Sequence, residues 1–162
     1  MTYLKNEILE ILLEDSRTTP AQMAVMLGVS EKEIESAVSE LEKDRVIVKY
    51  NTMIDRDKTD ESLVEALIEV RVTPQRDRGF DEIARRIYRF PEVRSVYLMS
   101  GGYDLMVLTE GKTLKQVAFF VAEKLSTIEG VISTATHFVL KKYKDDGVVF
   151  DEESDNRLAV TP

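Results

Sequence analysis

The 162-residue sequence contains no cysteine, no tryptophan and only one histidine, His137. The absence of cysteine excludes disulfide bonds, thiolate metal sites and cysteine nucleophiles. A single histidine argues against a zinc or non-haem iron centre, so we expect neither a metal nor another cofactor. These absences exclude several classes of catalytic and metal-binding protein.

Long apolar runs are also missing from the sequence. No run approaches the roughly 20 residues that span a bilayer, and the first residues lack the apolar core of a signal peptide. We therefore expect a soluble cytoplasmic protein with no membrane partner. The apolar share of 43% suffices for a hydrophobic core, and the length fits one ordinary domain or two small ones.

Negative charge exceeds positive charge, with 30 Asp and Glu residues against 22 Lys and Arg residues, and the excess is unevenly distributed. The net charge is −5 over residues 1–60, +2 over residues 61–144 and −5 over residues 145–162. No segment resembles a basic domain that binds nucleic acid by charge alone. Residues 145–162 are expected to form a solvated acidic C-terminal tail, although Val148, Val149 and Phe150 could attach part of it to a neighbouring chain.

Residues 1–54 carry helical periodicity and helix-start signals. Apolar spacing predicts a first helix over residues 3–14. Thr19-Pro20 starts a short second helix that stops at Gly28, and Ser30 with Glu33 forms the capping box of a third helix. The third helix carries one apolar stripe, formed by Ile34, Ala37, Val38 and Leu41.

A short helix, a glycine turn and a capped helix are the pattern of a helix-turn-helix. The alternation of Val46, Val48 and Tyr50 after it suggests an additional strand or wing. The same three-helix unit can also serve as a plain packing or dimerisation module, so the pattern by itself leaves both interpretations open.

The charged, apolar-free segment 55–62 is the natural linker to a second domain over residues 63–144. Beyond it the apolar period changes to two in Val64–Val72, which predicts a strand. A helix ending before Pro91, two strands around residues 96–108, a helix over residues 114–128 and a strand over residues 131–143 follow. The order β-α-β-β-α-β is that of a ferredoxin-like domain, so the fold class is α+β.

Five residues between the two central strands, Ser100, Gly101, Gly102, Tyr103 and Asp104, form the most distinctive stretch. The Gly-Gly pair predicts a tight hairpin turn, because glycine adopts positive φ at little steric cost. A carboxylate that enters an apolar strand is costly to desolvate unless something pairs with it. Asp104 therefore either caps the turn through its own backbone or accepts a small cation such as an amino-acid ammonium.

The strand after this turn is apolar on both faces. Leu105 and Val107 point one way, and Met106 and Leu108 point the other. Helices can cover one face only, and monomers seldom expose a large apolar sheet. We therefore expect a homodimer in which a second copy covers the other face.

The two segments in this order resemble the Lrp/AsnC (feast/famine) family of bacterial and archaeal transcription regulators. The resemblance is clearest at Leu27-Gly28-Val29-Ser30, at residues 41–47 and at the Ser100–Asp104 turn, and it covers nearly the whole chain. It implies a winged helix-turn-helix followed by a ferredoxin-like βαββαβ effector-binding (RAM-type) domain. It also implies dimers that assemble further, for example into octamers.

In such regulators a small effector, usually an amino acid, binds near the glycine-Asp turn at an oligomer interface. Carried onto this chain, the resemblance implies an effector site formed by Ser100, Gly101, Gly102, Tyr103 and Asp104, with Thr134 and Thr136 as contributors. It implies DNA contacts from the third helix and the residues after it, namely Ser30, Lys32, Ser36, Ser39, Lys43, Arg45 and Lys49.

One feature departs from the family pattern. Relatives carry several Arg or Lys residues on the outer face of the third helix, where this sequence reads Glu35, Ser36, Ala37, Ser39 and Glu40. Acids repel phosphate, and few cations are present to release counterions, so we expect DNA binding to be weak.

Two other functions remain open. The protein could be a ligand sensor or scaffold whose helix-turn-helix no longer reads DNA. Family-like domains also occur in enzymes such as sirohaem decarboxylases, and Arg85-Arg86 could bind tetrapyrrole carboxylates. The lack of an acid–base constellation argues against an enzyme.

Overall fold

The computed structural model describes residues 2–61, 63–73 and 79–150. The chain divides into two units, Met1–Ile54 and Asp55–Pro162, and each has its own hydrophobic core. Ser62 of the expected linker and residues 151–162 of the expected tail lie outside the described residues.

Three helices form the first unit: α1 (Tyr3–Glu14), α2 (Pro20–Leu27) and α3 (Glu31–Lys43). They pack around Ile8, Met23, Ile34 and Leu41, which are almost completely buried. The predicted helices are confirmed, and α2 stops at Gly28, whose φ of 67° is a left-handed conformation that glycine tolerates.

Capping boxes hold the starts of α2 and α3. The Thr19 hydroxyl accepts the Gln22 backbone N–H, and the Ser30 hydroxyl accepts the Glu33 backbone N–H, with the side chain of the later residue returning to the cap in each case. Each box satisfies backbone donors that the helix itself leaves unpaired. The orientation of α3 is therefore determined at its first turn as well as by its buried face.

The prediction of a strand over Val46, Val48 and Tyr50 is wrong, because these residues form no strand in the structure. The backbone amides of Val46 and Ile47 both donate to the Leu41 carbonyl, at 2.9 and 3.1 Å, and so complete the end of α3. A strand also needs a hydrogen-bonded neighbour, and within the described residues no strand pairs with this segment. Closure of the helix end therefore prevails over the alternating pattern.

The second unit contains an antiparallel sheet of four strands in the order β2-β3-β1-β4. The strands are β1 (Val64–Val72), β2 (Val93–Leu98), β3 (Leu105–Gly111) and β4 (Val131–Phe138). Helix α4 (Asp81–Ile87) follows β1, and α5 (Leu114–Phe119) follows β3 and continues as a π-helix over Phe120–Leu125. The predicted β-α-β-β-α-β order is confirmed, and a short 3₁₀-helix over Arg56–Lys58 precedes it.

Strand register separates the two faces of the sheet. Val70 lies opposite Leu105 and Thr134, and the alternate residues of β1 and β3 form the core beneath α4 and the π-helix. Leu67 lies opposite Leu108 and points to the second face, where Leu67 and Tyr97 remain 36% and 51% exposed in the protomer. We call this second face, with Leu67, Tyr97, Met106 and Leu108, the open sheet face.

A small hairpin occupies the boundary between the expected second domain and tail. Strands β5 (Lys144–Asp145) and β6 (Val148–Val149) pair across Asp146-Gly147, whose φ angles of 44° and 82° define a type I′ turn. Strand β4 ends at Phe138, short of the predicted Tyr143, although the Val139 N–H still donates to the Glu65 carbonyl of β1 at 2.9 Å. An Asp-Gly pair of this kind is a sequence signal for a two-residue hairpin turn.

Candidate functional site

The Ser100–Asp104 turn joins β2 to β3 at one end of the sheet. Ser100, Gly101 and Gly102 are exposed, and Gly101 has a φ of 149°, a backbone conformation that side chains disfavour. The half-buried Tyr103 places its hydroxyl 3.9 Å from the Met106 sulfur. The turn therefore presents uncovered backbone beside one aromatic ring.

Asp104 is anchored to β1 rather than to its own turn. Its Oδ2 accepts the Val72 backbone N–H at 2.8 Å, while its own N–H donates to the Val70 carbonyl at 3.1 Å. Val72 lies where the pairing of β1 with β4 shifts register, so the carboxylate supplies an acceptor at an irregular point of the ladder. Neither interpretation offered by the sequence anticipated this contact.

The second carboxylate oxygen of Asp104 remains available. Within the described part of the chain, Oδ1 forms no hydrogen bond or ion pair, and the side chain is only half-buried. A carboxylate has about four acceptor positions, so one bond to Val72 leaves capacity for another donor. Asp104 can thus anchor the turn and accept a ligand group at the same time.

Thr134 and Thr136 lie on β4, where Thr134 is opposite the buried Val70 of β1 and Thr136 is opposite the buried Ile68. Thr134 shares the end of the sheet with the turn, with β1 between them, and its hydroxyl lies 3.3 Å from the Ser126 hydroxyl. Thr136 lies two residues further along the strand. The structure therefore brings Thr134 nearer to the turn than Thr136, and it adds Ser126, which no sequence signal indicated.

The exposed face of α3 lies opposite its buried face. Lys32, Ser36, Ser39 and Lys43 follow one another at spacings of four, three and four residues, so they form one continuous exposed stripe. Ile34, Ala37 and Leu41 form the buried side. We call the first set the outer stripe, and it contains two cations and no acid.

Several acids of α3 are already engaged. Glu40 pairs with Lys5 of α1 at 2.7 Å, and this hydrogen bond and charge hold the pKa of Glu40 below its ordinary value. Glu42 accepts the Tyr50 hydroxyl at 3.0 Å, and Glu33 belongs to the capping box. Glu31 and Glu35 are exposed flanking acids.

These contacts correct the outer face that was read from the sequence. Ala37 is only 7% exposed and belongs to the core. Glu40 forms an ion pair with Lys5 of α1, so neither residue belongs to the outer stripe. The error arose from reading consecutive residues as one surface, whereas successive helix positions point in different directions. Lys5, whose ion pair removes one of the repulsive charges, carried no sequence signal.

The remaining candidate DNA contacts flank the stripe. Ser30 is exposed, but its hydroxyl donates to Glu33 Oε2 at 2.7 Å within the capping box. Arg45 and Lys49 are exposed just beyond α3, and Arg45 has a left-handed φ of 56°. Four of the candidate DNA contacts are therefore exposed cations: Lys32 in the first turn of α3, Lys43 in its last turn, and Arg45 and Lys49 beyond it.

No cluster of three or more His, Asp or Glu side chains could hold a metal ion within residues 2–61, 63–73 and 79–150. None of the helices in those ranges has the length and hydropathy to cross a bilayer.

Two family models match this chain. Residues 65–149 match the Lrp/AsnC ligand binding domain, and residues 1–48 match a winged helix-turn-helix DNA-binding domain. The chain is 51% identical over 164 aligned positions to the HTH-type transcriptional regulator YugG of Bacillus subtilis, with 100% of this chain and 99% of YugG covered.

More distantly similar proteins are also transcriptional regulators. The HTH-type transcriptional regulator LrpA of Pyrococcus horikoshii is 31% identical over 137 positions, covering 85% of this chain and 94% of LrpA. The transcriptional regulator NMB0573 of Neisseria meningitidis, solved as a complex with L-Met, superposes with a TM-score of 0.73 at 22% identity. That alignment covers 90% of this chain and 93% of NMB0573.

The helix-turn-helix and the ligand-binding sheet domain define a DNA-binding transcriptional regulator rather than an enzyme. The chain belongs to the Lrp/AsnC family.

Proposed function

We propose that this regulator responds to an amino acid that binds at the Ser100–Asp104 turn. The observation that carries the proposal is the half-engaged Asp104, with Oδ2 held by Val72 and Oδ1 open beside exposed glycine backbone. The amino-acid ammonium would bind Asp104, and the exposed amides of Gly101 and Gly102 would receive its carboxylate.

Tyr103, Ser100 and the two threonines complete the proposed site. Tyr103 supplies an apolar ring edge and Ser100 an exposed hydroxyl, while Thr134 lies one strand away at the same end of the sheet. Thr136 would act at longer range. The L-Met complex of NMB0573 supports an amino acid as the ligand class without identifying the effector of this chain.

We propose that the outer stripe of α3 contacts the DNA. Lys32, Ser36, Ser39 and Lys43 would face the groove, with Ser30, Arg45 and Lys49 on the phosphate backbone. Four cations neutralise few phosphates, so single-site affinity would be low and its salt dependence shallow. Several copies in one assembly would then raise the affinity through avidity.

For assembly we propose a homodimer built on the open sheet face, with dimers associating further, for example into octamers. Leu67, Tyr97, Met106 and Leu108 are apolar, and Leu67 and Tyr97 are at least one-third exposed in the protomer. Burying such a surface is favourable at roughly 25 cal/mol per Å² of apolar area. The effector turn would then lie near an interface between copies.

The proposed division of labour gives residues 1–54 to DNA binding, residues 55–62 to a linker, and residues 63–144 to effector binding and assembly. The β5–β6 hairpin follows Lys142, whose Nζ pairs with Glu65 of β1 at 3.0 Å and with Asp145 of β5 at 3.2 Å. We therefore assign the hairpin to the second domain rather than to the acidic tail.

A ligand sensor or scaffold without DNA binding is the second candidate. The acidic balance of residues 1–60 and the exposed Glu31 and Glu35 favour it. The experiment that separates the two is recovery of genomic fragments by the purified protein, with and without each amino acid. We expect a small set of fragments whose recovery changes with one amino acid, whereas no enrichment at low salt would leave the sensor function.

A further inference from the structure

A cavity of about 390 Å³ opens in the second unit, at the end of the β2–β3 pair remote from the Ser100–Asp104 turn. Glu92, which immediately precedes β2, lies on one side, and α5 with the π-helix lies on the other. The volume falls within the range of small-molecule sites, about 300–1,000 Å³. The residues that bear on its chemistry are Glu92, Lys115, Phe119, Phe120, Glu123 and Lys124.

Glu92, one of the residues that line this cavity, has one carboxylate oxygen without a hydrogen-bond partner in the described part of the chain. Its Oε1 binds the Lys124 Nζ at 2.5 Å, but its Oε2 is buried and forms no hydrogen bond within the described residues. The Lys124 hydrogen bond holds the pKa of Glu92 below its ordinary value, so the side chain is a carboxylate at neutral pH. A desolvated acceptor without a donor is unfavourable, and an incoming donor would relieve that cost.

The opposite wall is aromatic. Phe120 is buried in the core, whereas Phe119 is 49% exposed and has the Lys115 ammonium 5.4 Å from its ring centroid. These residues lie where α5 widens into the π-helix, a local irregularity that frequently occurs at functional sites. An apolar body could therefore lie against Phe119 while a polar end reaches Glu92.

We propose that this cavity is a second small-molecule site, which binds a protonated amine attached to a small apolar body. The ammonium donates to Glu92 Oε2, and a charged donor makes the strongest bond to a carboxylate. The apolar body packs against Phe119, whose ring face also attracts cations. The site is separate from the turn in the proposed function, because the two lie at opposite ends of the β2–β3 pair.

The test is calorimetric titration of the full-length protein with phenethylamine. A parallel titration with phenylalanine, which has the same ring and amine plus a carboxylate, tests whether the ligand can be an amino acid. We expect phenethylamine to bind, and Glu92→Gln to weaken its affinity at least about tenfold, equivalent to about 1.4 kcal/mol. The matched control, Glu129→Gln, removes the same charge from an exposed position outside the cavity lining and should leave the affinity unchanged. The anion 3-phenylpropanoate, which lacks the amine, should not bind.

A second variant protects the test against a folding defect. Phe119→Ala removes an exposed wall without touching the Glu92–Lys124 pair and should weaken phenethylamine as well, and melting curves verify that each variant is folded. Phenylalanine binding that Glu92→Gln also weakens would support the cavity with an amino acid as ligand. Absence of phenethylamine binding, or equal affinity in folded native and Glu92→Gln proteins, would overturn the proposal.

Discussion

The carboxylate of Asp104 accepts the backbone N–H of Val72 at 2.8 Å, across 32 positions of the sequence. The bond joins the turn after β2 to the end of β1, where the pairing of β1 with β4 changes register. The shape of the turn and the end of the sheet therefore depend on one side chain. Asp104 therefore has a structural role, and experiments on its proposed ligand role must distinguish a loss of binding from a loss of stability.

Substitution by Asn and by Ala should separate these roles. Asn retains an oxygen that can accept the Val72 N–H, so Asp104→Asn should keep most of the stability while losing the charge for an ammonium. We expect it to cost about 1.5–3 kcal/mol of effector affinity. Asp104→Ala also leaves the Val72 amide unpaired and should lower the free energy of unfolding by about 1–3 kcal/mol.

Calorimetric titration and urea unfolding of both variants measure these effects. Equal destabilisation by Asn and Ala would mean that the charge, not the acceptor oxygen, anchors the turn. Normal effector binding by a folded Asp104→Asn protein would exclude Asp104 from the ligand site.

The outer stripe of α3 should respond to one neighbouring charge. Glu35 is exposed beside the stripe, whereas Glu40 is held by Lys5, so Glu35→Arg is the informative change. It should tighten DNA binding and steepen the salt dependence by about 0.9 for each additional phosphate contact. Fluorescence anisotropy of a recovered fragment over a series of salt concentrations measures both quantities.

Glu129→Arg provides the control for that experiment, because it makes the same charge change at an exposed position of the second unit. It should leave the salt slope nearly unaltered. If both variants tighten binding equally, overall charge rather than the α3 surface governs DNA affinity.

The open sheet face should govern dimerisation. Leu108 lies opposite the exposed Leu67, so Leu108→Glu would bury a charge in the proposed interface while remaining tolerable in the protomer. Sedimentation equilibrium at micromolar concentration should show dimers or larger species for the native chain and a shift toward monomer for the variant. Val25→Glu, at a highly exposed position of α2, is the control, and an unshifted Leu108→Glu protein would contradict this interface.

The Lys5–Glu40 pair should make stability depend on acid pH. The pKa of Glu40 is lowered in the folded state, chiefly by the hydrogen bond from Lys5, from an ordinary value of 4.5. The pair therefore stabilises the fold above that value, and its contribution disappears as the pH falls through the folded pKa. Glu40→Gln should lower Tm slightly at pH 7 and match the native protein once Glu40 is protonated.

Thermal melts between pH 7 and pH 3 test this expectation, with Glu10→Gln as a control at an exposed position of α1. A Tm difference for Glu40→Gln that stays constant over this range would show that the pair does not contribute through its charge.

Local signals predicted most of the elements. The capping residues Thr19 and Ser30 and the period-two alternation of β1 act within a few residues, so α2, α3 and β1 begin where the sequence indicates. The Asp146-Gly147 turn was equally local and was overlooked. The β-α-β-β-α-β order then followed from the order of these signals along the chain. The apolar residues on both faces of β3 also predicted a sheet face that the helices leave uncovered.

Long-range contacts could not be predicted in this way. Asp104 meets Val72, and Lys5 meets Glu40, only after β1 and β3 or α1 and α3 are packed. The alternation of Val46, Val48 and Tyr50 indicated a strand, but strand formation depends on a partner that periodicity does not supply. The π-helix after α5 and the unpaired Glu92 oxygen likewise arise from tertiary packing.

The central claim is that an amino acid at the Asp104 turn controls DNA binding. Its most direct test is the DNA affinity of the full-length protein for one recovered fragment, measured by anisotropy with increasing concentrations of the amino acid that alters recovery. The native protein should change its Kd severalfold, and Asp104→Asn, folded and able to bind the fragment, should need at least about tenfold more amino acid for the same change. An identical response of the two proteins would contradict the account.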